Sequence, residues 1–329
     1  MGTRALGGPA VIDGVPVGSG EVACDKAVAA LHRAWDLGVR WFDTCDAYGL
    51  GRAERFIGRF RADLGTEAAE LRLSARLGVY RGTASHPLRA VHMRHQLEQL
   101  AENTGVEELD LVALADVGAA PGNEGSQEAV EAMLSLRDTG WARRIGIPVP
   151  AAGDRGDASA RHARFLALHE QLRPEVLQVA MVDLSPLTVI GDESLFEFAE
   201  RTDCEVLVHG PLVYGLLTGL HPAGSPSVFD AGDLRSRHPW FRPAARRVVD
   251  GHLAVLREHF GAEPVQLVRA ALRYCLQVSA RTTVLVGVGS AGQAGETLEA
   301  AERPLSHDEF TLAGEVFAAL RADLAALGA

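Results

Sequence analysis

Lysine is almost absent: Lys26 is the only one, so arginine supplies the rest of the 32 basic side chains. An imine-forming lysine, as in pyridoxal-phosphate enzymes or Schiff-base aldolases, would have to be Lys26, which falls in the first turns of an amphipathic helix pattern, a surface place. Cysteine is scarce too. Cys24, Cys45, Cys204 and Cys275 lie far apart with no CxxC or Cys/His ligand spacing, which predicts reduced thiols, no disulfide framework and no metal site. No window approaches 18 uninterrupted apolar residues, and the N-terminal MGTRALGGPAVIDGVPVG lacks the basic start and apolar core of a signal peptide. The expectation is a soluble, cytoplasmic chain without a membrane partner. Basic residues are outnumbered by 43 acidic ones, a net charge of −11, which argues against a nucleic-acid footprint and leaves small molecules as the expected partners.

What the chain has is apolar residues, 47% of 329, arranged in alternating short and long patterns. Strand-like runs are expected at 3–7, 39–43, 72–76, 110–115, 144–149, 176–181, 205–209 and 283–287. Helix patterns lie near 24–37, 51–63, 89–104, 126–139, 158–172, 192–202, 266–277 and 292–302, with apolar residues recurring at i, i+3 and i+4. Eight such units predict an α/β fold, a (β/α)8 TIM barrel forming one domain over 1–329, rather than an open sheet with a GxGxxG turn. Extra helices are expected at 244–260 and 307–326. A long Gly/Pro-rich connection, 210–243, follows the seventh strand and reads as a lid carrying Arg235, Trp240 and Phe241.

Barrels of this type carry their chemistry at the carboxyl ends of the strands. There the sequence places Asp43, Tyr48, Arg76, Asp116, Gln178, His209 and Gly287. Asp43 ends an apolar run, so its burial demands a partner, and Arg76 on the next strand can be that partner. Beside such a pair Tyr48 becomes a tuned phenol: with a free pKa of about 10 it needs an adjacent cation to exchange protons near neutrality. The segment VGVGSAGQAGETLE passes from a strand through a Gly-rich turn into a helix, an arrangement that suits a phosphate or pyrophosphate.

These residues resemble the aldo-keto reductases. GVRWFDTCDAYGLGRAERFIG at 38–58 is similar to the family's first signature, with Asp43 at the catalytic aspartate and Tyr48 at the catalytic tyrosine; GLGRAE is closest to the bacterial branch that oxidises aldoses or pyridoxal. LRDTGWARRIGI, PEVLQVAM and HGPLVYGLLTG extend the likeness. The resemblance implies a barrel binding NADP or NAD and hydride transfer at a carbonyl or hydroxyl of a sugar-like or natural-product substrate. It implies cofactor contacts from Gln178, His209, Pro211, Leu212, Gly215, Leu217, Gly287, Gly289, Ser290, Gln293, Glu296 and Thr297. The tetrad departs from the pattern: Arg76 stands at the lysine position and Ala115 at the histidine position. Pro148 and Val149 replace the Ser-Asn pair at the nicotinamide carboxamide, His209 replaces the stacking aromatic, and Gly289 replaces a basic or polar residue near the 2′-phosphate. Asp116 or His209 then assists Tyr48. Two alternatives stay open: a redox-neutral barrel enzyme (dehydratase, lyase or isomerase) using Tyr48, Asp116 and His209, and a catalytically silent ligand-binding chain that uses no cofactor.

Overall fold

The computed structural model describes residues 1–79, 87–114, 122–149, 177–183, 185–187, 194–225 and 228–328. The predicted helix at 158–172, together with Ala115 and Asp116, lies outside the described residues. A short hairpin, β1 (Val11–Ile12) and β2 (Val15–Pro16), precedes α1 (Cys24–Asp36). The alternating part then runs β3 (Trp41–Cys45), α2 (Arg52–Leu64), β4 (Arg72–Leu77), α3 (Ala90–Thr104), β5 (Leu109–Leu114), α4 (Gly122–Asp138) and β6 (Ala142–Val149). It continues with β7 (Leu177–Asp183), α5 (Ser194–Thr202), β8 (Glu205–His209), α6 (Pro243–Phe260), α7 (Pro264–Leu276), β9 (Thr282–Leu285), α8 (Ala291–Glu302) and α9 (His307–Ala326).

Strands β3 to β9 form one parallel sheet in sequence order. Its two edges meet through the amino-terminal segment, where Gly2 bridges both Asp43 and Gly287. The Gly2 amide donates to Val286 O at 2.9 Å and the Thr3 amide to Asp43 O at 3.0 Å, which closes a (β/α)8 barrel. The predicted first strand, 3–7, is a correction: only Gly2 pairs as a strand. Arg4–Leu6 is a 3-10 turn with the Leu6 amide donating to Thr3 O at 2.9 Å. That turn swings the chain across the barrel mouth, and Arg4 with it.

The period-2 alternation of the strands sorts side chains between two environments. Phe42, Leu73, Val112, Ile145, Val206 and Val208 face the helices. Leu111, Ala113, Val179, Met181, Leu207 and Leu285 fill the interior over Trp41. Gly146 completes this inner layer, and a larger residue would make its neighbours give way by a few tenths of an ångström: a Cβ there would lie 3.2 Å from Ala113 Cβ and 3.3 Å from Leu111 Cδ1. Below them the Arg144 guanidinium lies 4.8 Å from the Trp41 ring and pairs with Glu205, so the amino-terminal end of the barrel is plugged. The same alternation continued upward turns Asp43, Ser74, Arg76 and His209 inward at the carboxyl ends, where no apolar layer covers them.

A second apolar cluster joins α6, α7 and α9 to the connection after β8, with Phe317, Leu320, Leu253 and Ala271 at its centre. The capping box of α9, Ser306 with Glu309, fixes that helix's start, and Arg269 of α7 grips the same Glu309 at 2.8 Å. Among the described residues, no helix is long and apolar enough to cross a membrane and no group of three His, Cys, Asp or Glu side chains could hold a metal.

Candidate active site

The open end of the barrel holds a cavity of about 410 Å³ lined by Asp43, Tyr48, Arg76 and His209. Asp43 is 1% exposed; it accepts from Ser74 Oγ at 3.0 Å and faces an Arg76 guanidinium nitrogen at 3.5 Å. Burial raises its carboxyl above the usual range, and Arg76 and Ser74 pull it back only in part. Tyr48 follows β3 in a turn that depends on two glycines. A Cβ on Gly7 would lie 2.6 Å from the Tyr48 carbonyl carbon, and one on Gly49, whose φ is +65°, 2.0 Å from Gly7 O. Backbone therefore packs directly on backbone beneath the phenol. The Arg76 guanidinium sits 5.4 Å from the Tyr48 ring, and neither the Tyr48 hydroxyl nor Arg76 Nε has a hydrogen-bond partner among the described residues, although both atoms are buried. Such unsatisfied groups cost about 1–3 kcal/mol each, a cost that a ligand reaching them removes.

His209 ends β8 and lines the cavity. Burial, then the charges of Arg76 and Arg4, lower its pKa from 6.5 to about 3, so the imidazole is neutral through the physiological range. Beyond it the wall strip Gly210–Gly215 contains Val213 at φ 51° and Tyr214 at φ 55°. A β-branched residue in the left-handed region is strained, and here the strain lies along the cavity lining. Pro211, Leu212 and Gly215 line that side. Gly287, Gly289, Gln293, Glu296 and Thr297 line the other.

Several expected site residues are elsewhere. Gln178 is exposed, turns away from the cavity, and is the extra residue of a β-bulge: Ile145 pairs with Leu177 but Gly146 with Val179, so Gln178 is passed over. Leu217 is fully buried in the second core beneath the wall, within a 3-10 turn. Ser290 caps α8, accepting from the Gln293 amide at 3.3 Å, while Gln293 Oε1 accepts from the Gly289 amide at 2.8 Å. Side chains thus already occupy two of the amides that the Gly-rich turn was expected to offer.

The connection over 210–243 is a braced structure rather than a loose lid. Gly18 bridges Asp233, Gly232 O accepts from the Ala10 and Gly18 amides, and Arg246 binds the carbonyls of His221, Pro222 and Ser225. Phe241 is buried among His221, Phe229 and His238, and Trp240 packs on His238; neither reaches the cavity. Arg235 does line it, held by Asp233 at 2.6 Å with Phe229 beneath the guanidinium at 4.7 Å. Reasoning from sequence missed Arg4, Tyr214 and His221, all of which line the cavity. The signal for Arg4 was its place just after the strand-like Gly2–Thr3, concealed by the expectation that the strand ran on.

A profile of the Aldo/keto reductase family matches residues 1–316. L-galactose dehydrogenase of Arabidopsis thaliana is 24% identical over 291 residues, covering 87% of this chain and 81% of its own. A putative voltage-gated potassium channel subunit beta of Schizosaccharomyces pombe is 25% identical over 298 residues, covering 83% and 78%. Among solved structures, the glycerol dehydrogenase of Gluconobacter oxydans superposes with a TM-score of 0.72 at 21% identity, over 97% of this chain and 90% of that one. At that identity it speaks for the fold alone.

Proposed function

Because the chain belongs to the aldo-keto reductase family, whose members generally use NAD(P)H, we propose that it is an oxidoreductase interconverting a carbonyl and an alcohol, with Tyr48 handling the proton at the substrate oxygen. The observation that carries this reading is the Tyr48 hydroxyl, buried in the cavity wall beside Arg76 with no partner among the described residues. In the reducing direction Tyr48 donates its proton to the oxygen that gains charge, and the phenolate left behind is stabilised by the Arg76 guanidinium. Arg76 stays charged throughout, so it tunes the phenol without sharing its proton. Asp43, with Ser74, holds Arg76 in place. His209, kept neutral, offers a hydrogen-bonding ring to the cavity. Asp116 stays a candidate second proton carrier by its sequence position just beyond β5.

The cavity fits a nicotinamide dinucleotide, NADP or NAD, whose bound ring would supply or accept the hydride. Pro211, Leu212 and Gly215 would hold one side of it and Gly287, Gly289, Gln293 and Thr297 the other. Glu296 lines the same end, and no basic residue follows Gly287 closely. With Gly289 in place of a basic or polar side chain, a 2′-phosphate lacks a partner there, so NAD(H) is tolerated.

One observation favours a second reading, redox-neutral chemistry on the same residues: Gln178 faces outward and Pro148 and Val149 replace amide-bearing side chains, so no carboxamide clamp forms from these positions. Titration of the protein with NADPH and NADH by fluorescence quenching separates the two. Micromolar binding, with turnover of aldehydes, ketones or sugars that disappears in Tyr48→Phe while binding persists, is the expected result. No binding up to millimolar concentration eliminates the oxidoreductase.

A further inference from the structure

The charges around the cavity are unevenly compensated. Four carboxylates line it, and two are already engaged: Asp233 by Arg235 at 2.6 Å, and Glu21 by Arg52 at 2.6 Å. Glu296 belongs to α8 at the far end. One carboxylate remains, Asp43, and two further guanidiniums, Arg76 and Arg4, line the same cavity. Arg76 already takes that carboxylate, at 3.5 Å.

Arg4 has no carboxylate partner among the described residues. Its guanidinium lies 5.0 Å from the Tyr214 ring, one terminal nitrogen donates to Val17 O at 2.9 Å, and the buried Nε finds no acceptor among the described residues. It is therefore held in a fixed pose with donor capacity to spare, against Tyr214 in the cavity lining and close enough to His209 to oppose its protonation. A cation so placed, lining one cavity with a second arginine that also acts on His209 and has its own unsatisfied Nε, favours an anion within its reach. The planar fork of an arginine matches a carboxylate two-pronged, which a point charge would not do. The molecule as a whole carries a net charge of −11, so this positive spot runs against the general field. It marks a site, and does not extend a basic surface.

We propose that the substrate bears a carboxylate, anchored by Arg4, a few bonds away from the carbonyl or hydroxyl carbon presented to Tyr48. This rests on the oxidoreductase reading for the identity of the reacting group but not for the anion itself. The other anion that could use Arg4 is the pyrophosphate of the dinucleotide.

Matched probes test the proposal on the full chain. With saturating NADPH or NADH, 4-carboxybenzaldehyde is expected to show a kcat/KM at least tenfold above that of 4-methylbenzaldehyde. Arg4→Met, checked for folding by circular dichroism, should bring the ratio close to one through KM, and Arg4→Lys should restore part of it. In parallel, benzoate and benzamide are titrated by calorimetry, a readout that needs no turnover. Benzoate should bind at least tenfold tighter than benzamide, and Arg4→Met should abolish the difference while leaving the NADPH Kd within twofold. Benzoate no tighter than benzamide, together with equal use of both aldehydes, overturns the anchor and leaves the reductase intact. A loss of NADPH affinity without a change in benzoate binding assigns Arg4 to the pyrophosphate and overturns the anchor equally. Arg4-dependent benzoate binding in a protein that reduces neither aldehyde upholds the anchor and sinks the oxidoreductase instead. Should Arg4→Met fail to fold, Arg4→Lys and the wild-type probe pairs decide alone.

Discussion

The two walls of the cavity are built by opposite rules. The wall made by strands, Asp43, Arg76 and Tyr48, is rigid in backbone yet leaves polar atoms unmatched: a tyrosine hydroxyl and an arginine Nε without partners among the described residues, and an aspartate whose pKa burial has raised. The wall made by the connection after β8 has little regular structure but leaves few loose ends. Asp233 takes both prongs of Arg235, Arg246 ties three carbonyls, and three rings, of His221, Phe229 and His238, pack around Phe241. Strands hold their groups by the ladder, so their inward side chains are free to be frustrated; a connection without a ladder must spend its side chains on holding itself. Among the described residues, three of the eight buried side-chain atoms without a hydrogen-bond partner, on Arg4, Tyr48 and Arg76, belong to the cavity lining, and none belongs to the connection over 210–243.

Mutation should separate the walls cleanly. On the strand wall, Tyr48→Phe removes a hydroxyl that makes no protein hydrogen bond among the described residues, so its melting temperature should equal or exceed the wild type's. Turnover should fall by about 10²–10⁴ if the phenol is the proton carrier. A melting temperature several degrees lower would mean the hydroxyl has a structural partner and would blur the contrast. On the other wall the pattern inverts. Asp233 is 1% exposed, accepts the Arg235 amide at 2.9 Å and binds its guanidinium twice. Asp233→Ala should cost about 3–5 kcal/mol of stability, visible as a lower urea midpoint. Most of any loss in turnover should then vanish when the assay is run well below the new melting temperature.

How much of this the sequence showed depended on whether period alone fixed a side chain's direction. The strands ending in Asp43, Arg76 and His209 are uninterrupted, so alternation carried each residue to the interior and the Asp43–Arg76 pair was legible. The resemblance implies Gln178 as a cofactor contact, yet it faces outward because Val179 and Met181 fill the interior and alternation turns residue 178 to the same face as Ala180. Arg4 was hidden by a different mistake, a strand extended two residues too far across a 3-10 turn. The bracing of 210–243 depends on contacts with residues far away in sequence, Gly18 and Arg246, which local pattern does not reveal. Glu54 was not singled out at all, since a glutamate in the first turn of an amphipathic helix is ordinary.

Glu54 sharpens the comparison most finely, because it lies one layer behind the strand wall and touches no part of the cavity. It is 1% exposed, accepts from Asn103 Nδ2 at 2.7 Å, and its other oxygen has no partner among the described residues. Burial raises its pKa from 4.5 to about 7, and nearby Asp46, itself raised by burial, adds to the effect. Between these two values the folded protein holds a proton that the unfolded chain releases, so Glu54 makes stability fall as pH rises from about 4.5 to 7 and level off above. The full difference is on the order of 3 kcal/mol. His209 works the other way, its lowered pKa making stability rise with pH between about 3 and 6.5, so the wild-type profile alone would conceal both slopes. The difference between wild type and Glu54→Gln cancels the His209 contribution. Urea midpoints measured from pH 4 to 8 should show the variant gaining on the wild type steadily up to pH 7 and holding a constant lead beyond. A lead that is the same at pH 4 and pH 8 would mean that Glu54 ionises normally, and that the unmatched polarity of the strand side stops at the residues lining the cavity.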